Sequence, residues 1–469
     1  MNRILVTLLL SSALSACVVG PKYTPPVADL RPAYSADQPL AAADAAWWQH
    51  FGDPVLNGLV ERALAQNYDL AAAAARIQQA RAMAGGAAAR LLPTLDAAGS
   101  AEADRQSLHT PFGAASHELG FPRNYELYQA GVQASWEIDL FGGLTRQQQA
   151  ARAGLAGTIA DAAAVRLGVE AETVDAYLQL RGLQAQVQVA QRQYTVADNL
   201  VTLIRAREEQ GLSAPRDVLR ATGDRDGVAA RIPRLRGAIA AQINAIDVLT
   251  GQQAGVADPA LAQTGTIPAP PQPSGSAIPA DLMRRRPDVV AAESRMVAAN
   301  AQIGAALSEY YPHLSFSGLL GFASVGGASF LSGGAVQTTG QAALRWRLFD
   351  FGRIDAEVKQ ARGHKAETMA QYRATLLHAT ADVENAMVAL TQGRNEVTIR
   401  EQQVAALTRS RDQAQQAYGA GTVALIEVLD ADRALLDASD NLVQARAMAA
   451  RASLATTRAL GGGYGVDHG

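Results

Sequence analysis

Residues 134–143 read Ala134-Ser135-Trp136-Glu137-Ile138-Asp139-Leu140-Phe141-Gly142-Gly143. Residues 344–353 read Leu344-Arg345-Trp346-Arg347-Leu348-Phe349-Asp350-Phe351-Gly352-Arg353. Trp136 answers Trp346, and Phe141-Gly142 answers Phe351-Gly352, at an offset of 210 residues (351 minus 141). Each copy joins a strand-like stretch to a very long helix-like stretch. A chain built that way twice is rarely an enzyme.

Before each copy, residues alternate with a period of two. Leu95, Ala97, Gly99, Ala101 and Ala103 alternate with Thr94, Asp96, Ala98, Ser100, Glu102 and Asp104. Ala130, Val132, Ala134, Trp136 and Ile138 alternate with Gln129, Gly131, Gln133, Ser135 and Glu137. The second unit repeats the pattern with Leu314, Phe316, Gly318, Leu320 and Phe322, then with Ala342, Leu344, Trp346 and Leu348. Strands are expected at about 93–112, 124–141, 312–331 and 335–351. Runs of about ten residues suffice for a tilted strand to cross a bilayer. Lipid on one side and water on the other would produce the alternation. Trp136 and Trp346 suit interfacial positions near strand ends.

Upstream, a helix-like run over 69–92 ends at Pro93 and aligns with 288–311, ended by Pro312, at an offset of 219 (312 minus 93). The first unit therefore carries nine extra residues, 219 minus 210, in a stretch of loop chemistry, His109-Thr110-Pro111-Phe112-Gly113. Downstream of each Phe-Gly comes a long stretch without proline. Residues 144–210 predict a helix about 100 Å long at 1.5 Å per residue. Val165, Val169, Thr173, Ala176, Leu180 and Leu183 recur at helical spacing, a coiled-coil-like stripe that needs partners of equal length. Each long helix ends at a matching turn, 211–219 and 421–429, where Gly211 and Gly421 fit C-caps and Ser213 fits an N-cap.

The resulting map has a signal peptide at 1–16 and an extended N-terminal segment at 17–53. A first repeat covers 54–251, a Pro-rich linker 252–280, a second repeat 281–462, and a tail 463–469. Residues Leu14-Ser15-Ala16-Cys17 follow a short apolar run, the pattern of a bacterial lipoprotein signal. Cys17, the single cysteine, is the expected lipidation site, and two or three acyl chains on it would anchor stably. Val18 rather than Asp follows it, which by resemblance to known lipoproteins points to the outer membrane.

The net charge of −3 gives no basic surface for nucleic acid. The seven histidines show no metal-ligand spacing, and the sequence holds no phosphate loop, His-Glu-x-x-His or cysteine pair. Carboxylates such as Glu170 and Glu172 read as solvated helix faces. No catalytic residue, metal or cofactor is expected beyond the covalent lipid on Cys17. No run approaches the 18 apolar residues of a spanning helix, so a crossing would have to be a closed β-barrel.

The segments Cys17 to Tyr23, Trp47-Trp48 through Pro54, Asn67-Tyr68-Asp69-Leu70, Trp136 to Gly142, Arg286-Pro287-Asp288 and Gly421 to Arg433 resemble the outer-membrane factors. These are TolC-like ducts, and the resemblance is to their lipoprotein branch serving resistance-nodulation-division pumps. It covers nearly the whole chain. One departure is Tyr68, where the family often has Pro.

The resemblance implies a mixed α and β membrane protein with internal duplication, forming a homotrimeric duct. It implies a twelve-stranded outer-membrane β-barrel, four strands per chain, above a long periplasmic α-helical barrel. It maps a periplasmic gate to Ile426, Asp430 and Arg433, with Arg220 at the position equivalent to Asp430. An Asp430 ring would need cationic partners, for which Arg220 and Arg433 are candidates. The tip turns, with Gly211, Leu212, Gly421, Thr422 and Val423, would dock a periplasmic adaptor that links to an inner-membrane pump. The implied function is a passive exit duct of a tripartite efflux pump. The alternatives are the outlet of a type I protein secretion system and a structural coiled-coil lipoprotein.

Overall fold

The computed structural model describes residues 18–26, 46–256, 259–269 and 285–464. The signal peptide, Cys17, most of the extended segment, most of the linker and the last residues of the tail lie outside the described residues.

Among the described residues, the α-helices of eight residues or more are α1 (Pro54–Gln66), α2 (Tyr68–Ala89), α3 (Pro111–Glu118), α4 (Gly143–Glu209), α5 (Pro215–Leu249), α6 (Pro287–Ser308), α7 (Arg353–Gly419) and α8 (Leu425–Ala459). The strands are β1 (Thr94–Arg105), β2 (Asn124–Ile138), β3 (His313–Val325) and β4 (Val336–Arg345). The duplication holds to the residue in helix length. α2 and α6 have 22 residues each, α4 and α7 have 67, and α5 and α8 have 35. None of the described helices is long and apolar enough to cross a membrane.

The chain divides into two units. The first comprises 1–26, 78–157 and 293–371 and holds the sheet, in order β1-β2-β3-β4 with every neighbouring pair antiparallel. Register fixes its two faces. Ala97, Val132, Leu320 and Thr338 form one cross-strand row, while Thr94, Ser135, Ser317 and Gln341 form a row on the opposite face. On that polar face the Thr94 and Ser135 hydroxyls meet at 2.8 Å. β1 and β4 are edges, and β4 is exposed along its whole length.

The strands end earlier than the alternation suggests, because other bonds capture the backbone. β2 stops at Ile138, and Asp139 then accepts from the Leu144 and Thr145 amides at 3.0 and 2.7 Å, capping α4. β4 stops at Arg345 rather than 351. Its last partner is His313, and Pro312 before that has no amide to continue the ladder; Trp346, just past the strand end, donates its indole N–H to the Tyr310 carbonyl at 2.9 Å. Asp350 caps α7 through the Ile354 amide, and that amide bond leads the causes holding its carboxyl below the usual value. β3 ends at Val325, where Gly326 turns and donates to Glu126. β1 ends at Arg105, not 112. The nine-residue excess is not plain loop: it holds α3, with Thr110 accepting from the Gly113 amide and Pro111 opening the helix.

Trp136 mirrors Trp346. Its indole donates to the Leu91 carbonyl at 3.0 Å, so each Trp ties a strand end to the segment just before Pro93 or Pro312.

The second unit comprises 27–77, 158–292 and 372–469. Its core joins Trp47, Trp48, Leu56, Leu59, Tyr177, Leu178, Ile246, Leu261 and Leu454, with residues of α1, α4, α5 and α8 meeting in one cluster. Trp47 and Trp48 meet edge-to-face at 6.0 Å. α4 is therefore not buried along a single stripe here. Between 169 and 184 it is enclosed on most sides, and polar residues go inside with partners. Glu170 is one of them, correcting its reading as a solvated carboxylate. It is 3% exposed, accepts the Trp47 indole N–H at 3.2 Å, and pairs with Arg166 at 2.9 Å. Burial pushes its carboxyl up, against the opposing pull of Arg166 and Trp47. Glu172 is exposed.

Candidate functional site

The two tip turns close the α4–α5 and α7–α8 hairpins, and both lie in the second unit. They share one construction. Gly211 and Gly421 each have φ of 73°. The Gly211 amide donates to the Glu208 carbonyl and the Leu212 amide to Arg207, both at 2.8 Å. In the second turn Gly421 donates to Tyr418 and Thr422 to Ala417, at 2.9 and 3.0 Å. This pairing satisfies the last carbonyls of a helix, and the left-handed residue it requires favours glycine. The Thr422 hydroxyl adds a bond to the Ala417 carbonyl at 2.9 Å. The N-cap of α5 is Ala214, not Ser213, because the Asp217 carboxylate reaches back to the Ala214 amide at 3.2 Å. Gly211, Leu212, Gly421 and Thr422 are exposed, and Val423 is half-buried.

Ile426, Asp430 and Arg433 stand four and three residues apart, which puts them on one face of α8. Ile426 is 38% exposed, and Asp430 is exposed as well. Arg220 on α5 is also exposed. Among the described residues no ion pair joins Asp430 to Arg220 or Arg433. Arg433 instead reaches the Asp224 carboxylate of α5 at 3.9 Å. Both partners are more than half exposed, so this contact is worth well under about 1 kcal/mol.

A stronger polar connection lies further along the hairpins, and sequence reasoning missed it. Arg231 of α5 donates to Gln193 of α4 at 3.1 Å and to Asp440 of α8 at 2.7 Å. Gln193 donates in turn to Asp437 of α8 at 2.9 Å. Gln193 and Asp440 are each 6% exposed. Three helices from both halves are thus tied through one set of side chains, with Gln193 and Asp440 buried at its centre. The available signal was weak: Arg, Gln and Asp are ordinary on helix faces, and pairing across 209 positions is not visible in a linear pattern.

The outer membrane efflux protein family model matches residues 59–252 and 278–462. The chain belongs to that family. The pyoverdine export outer membrane protein OpmQ of Pseudomonas putida is 32% identical, over 99% of this chain and 98% of that protein. The probable efflux pump outer membrane protein TtgC of Pseudomonas putida is 27% identical, over 97% of this chain and 96% of that protein. Among solved structures, the outer-membrane channel OprN superposes with a TM-score of 0.85 at 31% identity, covering 95% of this chain and 99% of that one. The chain is a TolC-like outer-membrane channel of the efflux class in Gram-negative bacteria, and it extends into the periplasm.

In this efflux protein the segment just after Cys17 is held in the first unit by backbone-directed bonds. The Val19 amide donates to the Phe141 carbonyl at 3.1 Å. Arg146, 8% exposed, donates to the Val19 and Gly20 carbonyls at 3.0 and 3.1 Å. Asn300 donates to the Pro21 carbonyl, and the Tyr23 hydroxyl to Glu293. Gly20 has φ of 98°, and a side chain there would sit 2.4 Å from the Gly304 backbone, so only glycine fits.

Proposed function

We propose that the chain is the passive, gated exit duct of a tripartite efflux pump, working as a lipid-anchored homotrimer. The observation that carries this reading is the sheet. It has four strands, two free edges, one polar face and one apolar face, and its edge strands β1 and β4 are exposed almost throughout. In water such a sheet would leave a broad apolar face exposed, which marks a surface made for lipid or for a partner. In lipid each unsatisfied backbone group costs several kcal/mol, so edges must pair and the ring must close. Pairing β1 with β4 of the next copy does this, and three copies give twelve strands. Phe316, Leu320 and Trp136 then face lipid, and Gln133, Ser135 and Gln341 face water.

The acyl chains on Cys17 would enter the leaflet beside the sheet. The bond that Val19 donates to Phe141 and the one it accepts from Arg146 support this, because they hold the neighbouring segment against the end of β2. No bond chemistry is required of the protein. Closure would fall at the tips, through the exposed face of Ile426, Asp430 and Arg433 with Arg220 opposite. A periplasmic adaptor would dock on the turns at Gly211, Leu212, Gly421, Thr422 and Val423. It would link the duct to a resistance-nodulation-division pump, and opening would be a shift of packed helices between two arrangements. Relatives named for pyoverdine export and for an efflux pump support small-molecule cargo rather than polypeptide cargo.

A deletion strain tests this reading. Increased sensitivity to small toxic compounds, restored by the intact gene, is the expected outcome. An unchanged sensitivity profile together with a lost secreted protein would instead make the chain a secretion outlet.

A further inference from the structure

The two hairpin loops of the sheet fold toward opposite faces. Phe330, between β3 and β4, packs against Tyr128 and Phe322 with ring centroids 6.3 and 6.2 Å apart. Tyr128 and Phe322 belong to the apolar face, in register with Ala101 and Ala130. The loop between β1 and β2 goes the other way. With Tyr125 and Val325, Phe112, Leu119 and Phe121 line a cavity of about 400 Å3. By parity Tyr125 shares its face with Gln129 and Gln133, and Val325 shares its face with Ser317. The loop that carries the nine extra residues therefore leans over the polar face. Phe112, Leu119 and Phe121 are 70%, 75% and 64% exposed. An apolar cluster on the side that faces water needs an occupant.

We propose that Phe112, Leu119 and Phe121 meet their counterparts from the other two copies and form an apolar constriction at the outer mouth of the barrel. This rests on the trimeric reading given above. The dimensions favour copies of this chain as the occupant. Twelve strands spaced about 4.8 Å apart and tilted about 40° enclose a ring roughly 24 Å across. A helix with its side chains is about 10 Å wide, so three copies of α3 leaning inward fill nearly all of that width. The cluster also lies at the end of β1, the edge that pairs with the neighbouring copy, so it continues that interface. A water-filled passage narrowed by apolar side chains closes by dewetting. The duct would then have a second closure, built from the one loop in which the two halves of the chain differ most in length.

The test uses the full-length protein in outer membranes, where Cys17 is the only native cysteine. Leu119→Cys should give covalent dimers with a short bismaleimide. Gln133→Cys, on the polar face deeper in the barrel, should react slowly with a membrane-impermeant maleimide added outside cells. Adding Phe112→Ser, Leu119→Ser and Phe121→Ser should speed that labelling at least tenfold. Native mass spectrometry of every variant separates the two readings. Trimers in which Leu119→Cys does not couple, and in which Gln133→Cys labels equally fast with either loop, overturn the constriction alone. Monomers throughout overturn the trimeric duct as well.

Discussion

Asn67 and Arg286 hold equivalent joints in the two halves of the chain. Their positions differ by 219 (286 minus 67). Asn67 donates its side-chain amide to the Leu249 carbonyl at 3.0 Å, and Arg286 donates its guanidinium to the Ala459 carbonyl at 3.0 Å. Leu249 and Ala459 are the last residues of α5 and α8, 210 positions apart (459 minus 249). Behind them, a side chain on Gly251 would strike the Gln66 carbonyl, and one on Gly461 would strike the Arg285 carbonyl. The joint is duplicated in its steric detail while the residue that locks it has changed.

The two locks differ in strength. Burial works against the charge of Arg286, but Asp288 at 2.8 Å and Asp382 at 3.0 Å more than offset it and hold the guanidinium above its usual range. Arg286→Ala loses the carbonyl bonds and leaves two carboxylates facing each other; because these are 42% and 56% exposed, the cost is discounted to about 2–3 kcal/mol. Asn67→Ala loses a helix cap and one bond, about 1–2 kcal/mol. Thermal melting of the detergent-solubilised protein should rank Arg286→Ala below Asn67→Ala. Equal melting points would contradict the assignment.

Glu170 makes stability depend on pH. Its folded carboxyl titrates above the ordinary value of 4.5, so the folded chain holds this proton more tightly than the unfolded one. Its cost is absent below the ordinary value and appears as pH rises through the raised one. Glu170→Gln should therefore melt above the native chain at pH 7, with the gap closing toward pH 5. A gap that does not change over that range would refute the burial argument.

The repeat, the long helices and the alternating strands were all legible, because a fixed offset and periods of 2 and 3.6 are written along the chain. Strand ends were not. Asp139 and Asp350 cap the helices that follow β2 and β4, and nothing in an alternating pattern marks that. The helix α3 hid inside loop chemistry for a related reason: Thr110-Pro111 is both a turn signal and a helix start. At the site, the tip glycines were legible because positive φ selects glycine. The tie among Arg231, Gln193 and Asp440 was not, since it joins three helices far apart in sequence.

That tie should steady the tips. Asp440 also accepts from Gln444 at 3.0 Å, so Asp440→Ala leaves Arg231 and Gln444 without their carboxylate. Because Arg231 is one-third exposed, the loss is discounted to about 1–3 kcal/mol. Amide exchange in 211–222 and 421–433 should quicken severalfold while the sheet is unaffected. Unchanged exchange at the tips would show that the tie does not reach them.

Arg146→Ala should free the segment after the lipid site. Two charge-assisted bonds to the Val19 and Gly20 carbonyls disappear, each worth about 1.5 kcal/mol or more. Faster proteolysis between residues 18 and 26, with the helices still protected, is the expected result. Equal resistance would assign the clasp to Asn300 and Tyr23 instead.

Single-channel recording of the purified protein in planar bilayers tests the central claim most directly. The native chain should show small or rare openings, and replacement of both Asp430 and Arg433 by Ala should raise conductance severalfold. An absence of channels from purified trimers of both forms would contradict a gated duct.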